Sequence, residues 1–228
     1  MGAALALYHN ILGNPLLTER KPFSPFLGPE KSAQDVLTEL KKFPDIVFQK
    51  SENVAKQAAQ DLQENKVIAW FCGRSEIGPR ALGARSILAN PTFKENWTRV
   101  NNIKQRELWR PFAPVVLESE IENWFAGVPS SSPYMLFNAD VISKDIPAVT
   151  HVDNTARVQT VNSSNGDFYH LIEAFFDLSA VPVVLNTSFN GPGEPIVETA
   201  EEALCLLANA NIDVMYIEGF RVTKKSAS

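Results

Sequence analysis

Six of the chain's nine arginines fall between Gly73 and Pro114: Arg74, Arg80, Arg85, Arg99, Arg106 and Arg110, joined by Lys94 and Lys104. Only Glu76, Glu95 and Glu107 oppose them, so this stretch is +5 inside a chain whose formal net charge is −5. A guanidinium presents a planar fork of donors that matches phosphate oxygens in pairs and stays charged at any working pH. Several such forks converging would suit a polyphosphate, or a phosphate beside a second anion. Gly73, Gly78 and Gly83 recur every five residues among the arginines. Small residues there let a backbone approach a ligand and donate N–H groups. The same arginines also fit scattered surface and ion-pair positions, and residue types alone leave both readings open.

Three smaller sets accompany the basic stretch. Lys104-x-Arg106 would aim two charges at one face of a strand, would diverge on a helix, and could equally be a solvated charge run. Asn186, Ser188 and Asn190 alternate in LNTSFNGPGEP and offer one ligand both donors and acceptors, although Asn, Ser and Gly also build ordinary turns. Thr150-His151-Val152-Asp153, followed by Arg157, allows an aspartate to orient an imidazole, or a structural histidine with satisfied bonds. There is no GxSxG, HExxH or P-loop motif. Cys72 and Cys205 lie in apolar runs without metal-ligand spacing, so reduced core thiols are expected and a protein-held metal is not.

The elements that must position these residues follow from pattern. Residues 3–13 form a helix apolar nearly all round, which needs burial by something. Residues 14–29 carry four prolines and read as a linker or strap. Ser32 caps a short helix over 33–42, and 46–50 reads as a strand. Ser51 opens a helix over 52–65, and 67–72 is a continuous apolar strand. That strand ends at Gly73, which places Arg74 at a strand's C-terminal mouth, where open α/β sheets bind ligands. Strands are expected at 114–118, 134–141, 156–161, 181–186 and 213–222, and helices at 119–126 and 167–178. Thr199 with Glu202 forms a capping box for a helix over 200–210. The sum is one α/β (α+β) domain with a mixed, twisted, open sheet flanked by helices.

Composition bounds the function. With 45% hydrophobic and 21% charged residues, the chain is an ordinary globular one. Its sequence pI of about 5.3 argues against broad nucleic-acid binding. No apolar run reaches the ~20 residues needed to span a membrane, and the start lacks a basic n-region, so a cytoplasmic protein is expected.

The blocks GRSEIGPRALGARSILANP, RPFAPVVL, PAVTHVDNTARVQTV and VPVVLNTSFNGPGEPIV, in that order, resemble the NodU/CmcH-type O-carbamoyltransferases, specifically their C-terminal domain. That domain is similar in fold to YrdC-type proteins; Lys104-Gln105-Arg106 looks like the superfamily's K-x-R element and Ser188-Phe189-Asn190 like its S-x-N element. The resemblance implies binding of ATP, as co-substrate with Mg²⁺, and of carbamoyl phosphate, with formation of carbamoyl-adenylate. A separate actin-like N-terminal domain then carries the group to a hydroxyl. It implies a YrdC-like domain over 46–225. Residues 1–45 would be a helical remnant of the preceding domain plus a Pro-rich linker. Lys104, Arg106 and Arg80 would be catalytic. Arg74, Arg85, Ser86, Arg110, Thr150, His151, Arg157, Asn186, Ser188 and Asn190 would bind substrate or nucleotide. A nucleotide- or RNA-binding module without turnover, or a docking subunit of a split enzyme, remain alternatives.

Overall fold

The computed structural model describes residues 2–15 and 23–225. The N-terminal helix α1 (Gly2–Ala6) runs on as a π-turn over Leu7–Ile11. It is not covered by the described residues: Leu5 is 52% exposed and Ile11 75%. Residues 16–22 of the proline-rich segment lie outside the described residues, and from residue 23 the chain packs on the body. Phe26 bridges Glu76, Gly28 N–H donates to the Ser75 carbonyl at 3.0 Å, and Ile77 N–H to the Pro25 carbonyl at 2.7 Å. The next helix, α2 (Ala33–Leu40), is capped by Ser32, which pairs reciprocally with Asp35. Its Val36 and Leu40 are fully buried in the main core, so the packed body extends well before residue 46.

Ten strands form one mixed sheet in the order β1-β10-β9-β2-β3-β8-β4-β7-β6-β5. In chain order they are β1 (Ile46–Lys50), β2 (Ile68–Phe71), β3 (Arg85–Ala89), β4 (Ala113–Leu117), β5 (Phe125–Ala126), β6 (Phe137–Val141), β7 (Thr155–Val161), β8 (Val183–Ser188), β9 (Val214–Ile217) and β10 (Phe220–Lys224). The β2–β9 and β4–β7 pairs are parallel; the others are antiparallel. The expected mixed sheet flanked by helices is therefore the observed fold.

The central strands β2, β4 and β9 read as apolar runs because neighbours cover both faces. Helix α3 (Val54–Gln63) packs along α6 (Asp167–Ser179). Trp70, Phe71, Phe175, Phe189 and Tyr216 fill the interior. Asp61, although charged, is buried on α3 because Arg221, Lys66 and the Tyr216 hydroxyl all donate to it, at 2.8, 2.8 and 2.5 Å.

Several boundaries differ from pattern. The cap of α3 is Asn53, whose Oδ1 accepts the Lys56 N–H at 2.9 Å, not Ser51. Strand β3 and helix α4 (Glu95–Ile103) lie unannounced inside the basic stretch. The 119–126 helix is shorter, α5 (Ile121–Trp124), after which the chain straightens into β5 to pair with β6. Strand β6 begins at Phe137 because Met135 takes φ +54, which breaks an extended run. Strand β8 continues to Ser188 because Ser188 pairs with Ser86. Helix α7 (Ala200–Asn209) has the expected Thr199–Glu202 box. Cys205 on that helix is exposed, not a core thiol, while Cys72 is half-buried.

Candidate active site

The loop joining β2 to β3 is organised by one carboxylate. Glu76 Oε1 accepts N–H groups from Leu82 at 2.6 Å, Ala84 at 2.8 Å and Arg85 at 3.3 Å. The glycines serve this loop's own geometry. Gly73 donates its N–H to Glu218 at 2.7 Å. Gly83, at φ +113, sits so close to Phe168 that a Cβ would fall 2.2 Å from the ring. Gly78 (φ +127) has open space where a Cβ would stand.

The loop delivers Arg80 to the mouth of a cavity of about 90 Å³, lined also by Ala81, Arg106, Phe112, Arg157, Asn186 and Ser188. Three guanidiniums thus converge on a space whose lining contains no carboxylate. A second cavity of about 590 Å³ shares Pro79, Arg80, Met135 and Arg157 with the first. Its remaining walls are mostly apolar: Phe23, Pro25, Ile77, Leu82, Tyr134 and Leu136. Phe23 and Tyr134 meet edge to face, and the tyrosine hydroxyl donates to the Phe23 carbonyl at 2.6 Å.

Burial of charge at the site shows in the proton affinity of Arg157 and Arg106. Arg157 is half-buried, and burial first, then the neighbouring Arg80, lowers its pKa. Its Nε has no partner among the described residues. Burial, with Arg110 nearby, pulls Arg106 down to about 10. Arg106 is aimed by Asn101, whose Oδ1 accepts from its Nε at 2.6 Å, and by Phe112, whose ring lies 4.3 Å beneath the guanidinium. Neither a strand nor a helix sets the Lys104–Arg106 relationship. Lys104 ends α4, and Gln105 at φ +45 turns the chain.

Lys104 is not on the cavity wall. Its Nζ is buried behind β8, donating to the Ser188 carbonyl at 2.7 Å, the Asn190 carbonyl at 3.0 Å and Asn190 Oδ1. It ties the end of α4 to the loop after β8. Burial, then Arg106 and Arg110, brings its pKa to about 7.

The other expected residues are placed elsewhere or in supporting positions. Asn186 is buried on the cavity floor, Ser188 is on its wall, and Asn190 holds the loop by donating to the Gly191 and Glu194 carbonyls. Ser86 is fully buried beside Ser188 with its hydroxyl unpaired among the described residues. Arg85 is also fully buried, stacked 3.5 Å over Phe71, and it donates to the Gly73 and Ala84 carbonyls. Arg74 is exposed and donates to the Leu27 carbonyl. Arg110 is exposed beside Glu107. Arg99, on α4, pairs with Asp213. Thr150 donates to the Ile146 carbonyl and lines a different cavity, with Lys94 and Trp97. His151 lies beside Phe112, its pKa lowered mainly by burial; its ring faces the Thr155 hydroxyl at 3.4 Å, while Asp153 accepts from Thr155 and does not orient the imidazole.

Sequence reasoning missed Glu76, Asn101, Met135 and Gln159. Gln159 is buried and bonded to Asn186 at 3.0 Å. A buried glutamine in an apolar strand was its only local signal.

A mixed α/β sheet flanked by helices carries an arginine-lined cavity at the end of β8. The chain belongs to the family "Carbamoyltransferase C-terminus", which matches residues 59–224. Nodulation protein NolO of Bradyrhizobium diazoefficiens is 39% identical over 239 residues, covering all of this chain and 43% of NolO. The 3'-hydroxymethylcephem-O-carbamoyltransferase of Amycolatopsis lactamdurans is 40% identical over 158 residues, covering 68% of this chain and 30% of that enzyme. Full-length HypF, solved in a phosphate- and nucleotide-bound form, has the same fold at a TM-score of 0.53 and 21% identity, over 75% of this chain and 22% of HypF. The chain spans less than half the length of the curated relatives it matches. No helix among the described residues is long and apolar enough to cross a membrane.

Proposed function

We propose that this domain activates a carbamoyl group by adenylation. Carbamoyl phosphate loses phosphate to water, giving carbamate. A carbamate oxygen then attacks the α-phosphorus of ATP, and the bond to pyrophosphate breaks, leaving carbamoyl-adenylate. Such chemistry at phosphorus needs mainly positioning and charge neutralisation. Arg80, Arg106 and Arg157 supply the positive charge. The apolar cleft beside them has room for the adenine ring, and Lys104 holds the Ser188–Asn190 loop against the anion site.

The observation that carries this reading is the convergence of three arginines on a carboxylate-free cavity that opens beside an apolar one. The lining offers no carboxylate, so these residues do not form a Mg²⁺ site of their own, and none of the steps above is assigned to one. A small concavity holding three arginines, within an acidic chain, speaks against a broad RNA groove. The lengths of the relatives, and an apolar face of residues 2–12 that no described residue covers, support a partner. This would be an actin-like N-terminal domain, in the same or another polypeptide, that transfers the group to a hydroxyl. The test is ATP–pyrophosphate exchange dependent on carbamoyl phosphate. Folded protein that gives no exchange, even with the N-terminal domain of a relative added, refutes it.

A further inference from the structure

One buried relay sets the chemical polarity of the cavity floor. Gln159 on β7 is 1% exposed, and its Nε2 donates to the Leu82 carbonyl at 2.8 Å. A carbonyl only accepts, so this end of the amide must be the NH₂. The other end, Oε1, then accepts from Asn186 Nδ2 on β8 at 3.0 Å. Asn186 Nδ2 also lies 3.3 Å from the Ala81 carbonyl. Turning either amide over would set oxygen against oxygen. The relay therefore leaves Asn186 Oδ1 as a buried acceptor that has no partner among the described residues, Asn186 being 1% exposed. Asn186 lines the 90 Å³ cavity together with Arg80, Arg106 and Arg157. The origin of the relay is the Glu76-clamped loop, since the Leu82 N–H is held by Glu76 at 2.6 Å.

We infer that Asn186 reads the –NH₂ of the activated group, making it the residue that selects a carbamoyl over an acetyl or carboxyl group. The inference rests on the carbamoyl-adenylation reading for the ligand's name; the relay supplies the unpaired acceptor. A water molecule takes about 30 Å³ of liquid volume, so the cavity has room for a planar group of three or four heavy atoms. The arginines neutralise the oxygens of such a group. A carboxylate or bicarbonate would bring an oxygen lone pair against Oδ1. A methyl group would leave a buried acceptor unpaired, which costs roughly 10- to 100-fold in affinity. Gln159 is a positioning residue, acting through Asn186.

Two stable probes of equal charge separate the possibilities: phosphonoacetamide, which ends in –CO–NH₂, and 2-oxopropylphosphonate, which ends in –CO–CH₃. Titration calorimetry with the whole chain should show the amide binding at least tenfold more tightly. Asn186→Leu should erase that ratio by weakening only the amide, and Gln159→Leu should reduce it by freeing the Asn186 amide to turn over. Equal or absent binding of the two probes to the unaltered chain overturns the inference without recourse to any variant. So does an Asn186→Leu protein that binds both probes with the original ratio. Should the amide preference hold while ATP–pyrophosphate exchange is absent, the adenylation reading falls and the selectivity of Asn186 stands.

Discussion

Glu76 Oε1 accepts the N–H of Leu82 at 2.6 Å, six residues on in the chain, and the same oxygen accepts from Ala84. A single acceptor thereby shapes the loop that carries Arg80 and presents the Leu82 carbonyl to Gln159. Glu76→Ala should leave these buried donors without a partner and cost about 2–3 kcal/mol, judged by urea denaturation, because hydrogen bonds to a charged group fall in that range. Nucleotide affinity should fall with it. Glu76→Gln retains a carbonyl acceptor and should restore most of the stability.

Arg80 is exposed and Arg157 half-buried, so replacing either should spare the fold. Each alanine variant should weaken ATP by about 10- to 100-fold, the usual worth of a charge-assisted contact. Arg74→Ala and Arg110→Ala, which change exposed arginines outside the cavity lining, should change affinity far less. Equilibrium titration with ATP across the four variants checks this, and an equal loss in all four would argue for a diffuse basic surface.

Lys104 makes a signed prediction about pH. Its pKa is about 7 in the folded chain, against an ordinary lysine value of 10.5. Below pH 7 both folded and unfolded states bind the proton, and the fold bears the full cost of burying the charge. Between about 7 and 10.5 the unfolded chain binds more protons, so this group makes stability rise with pH. Lys104→Met loses the bonds to Ser188 and Asn190 at every pH, but its stability relative to the parent should be most favourable near pH 6 and fall towards pH 10. Denaturation curves of the two proteins across that range supply the difference.

Asp61 behaves in the opposite sense. Burial raises its pKa, but hydrogen bonds from Arg221, Lys66 and Tyr216 outweigh it and hold the carboxyl below its usual range. The stability it contributes is present above the unfolded value and is lost as pH falls through the lower folded one. Asp61→Asn should cost about 3 kcal/mol at neutral pH, towards the low end for a broken buried pair because the Lys66 side of the cluster reaches solvent. Thermal denaturation at pH 7 and pH 3 checks it, with the gap between variant and parent narrowing in acid.

Gly83 tests packing next to the site. At φ +113, with a Cβ position 2.2 Å from the Phe168 ring, Gly83→Ala strains the backbone and displaces an aromatic side chain. A loss of about 2 kcal/mol or more is expected in denaturant titration.

Much of the framework was legible from pattern. The run VIAWFC gave β2, the Thr199–Glu202 pair gave the cap of α7, and the helical spacing of Val54, Ala58 and Leu62 gave α3. Strand β3 was hidden because Arg85 and Ser86 look like surface residues, whereas both are fully buried. Of the six arginines in the basic stretch, only Arg80 and Arg106 line the cavity, joined by Arg157 from β7. Arg85 carries its charge into the core, and Arg99 spends its own on Asp213.

What the sequence determined alone was local: period, caps, the buried runs, the family-bearing blocks and the supply of arginines in one acidic chain. Those signals act over a few residues, where propensity and burial leave their mark in the order of residue types. Tertiary structure decided which side chains meet. Residues 80, 106, 157 and 186 share a cavity only because β8 inserts between β3 and β4, with β7 beyond β4. That order and register follow from packing the whole sheet at once. The polarity of Asn186 depends on carbonyls of the β2–β3 loop more than 100 residues away in the chain, a relation no local pattern records.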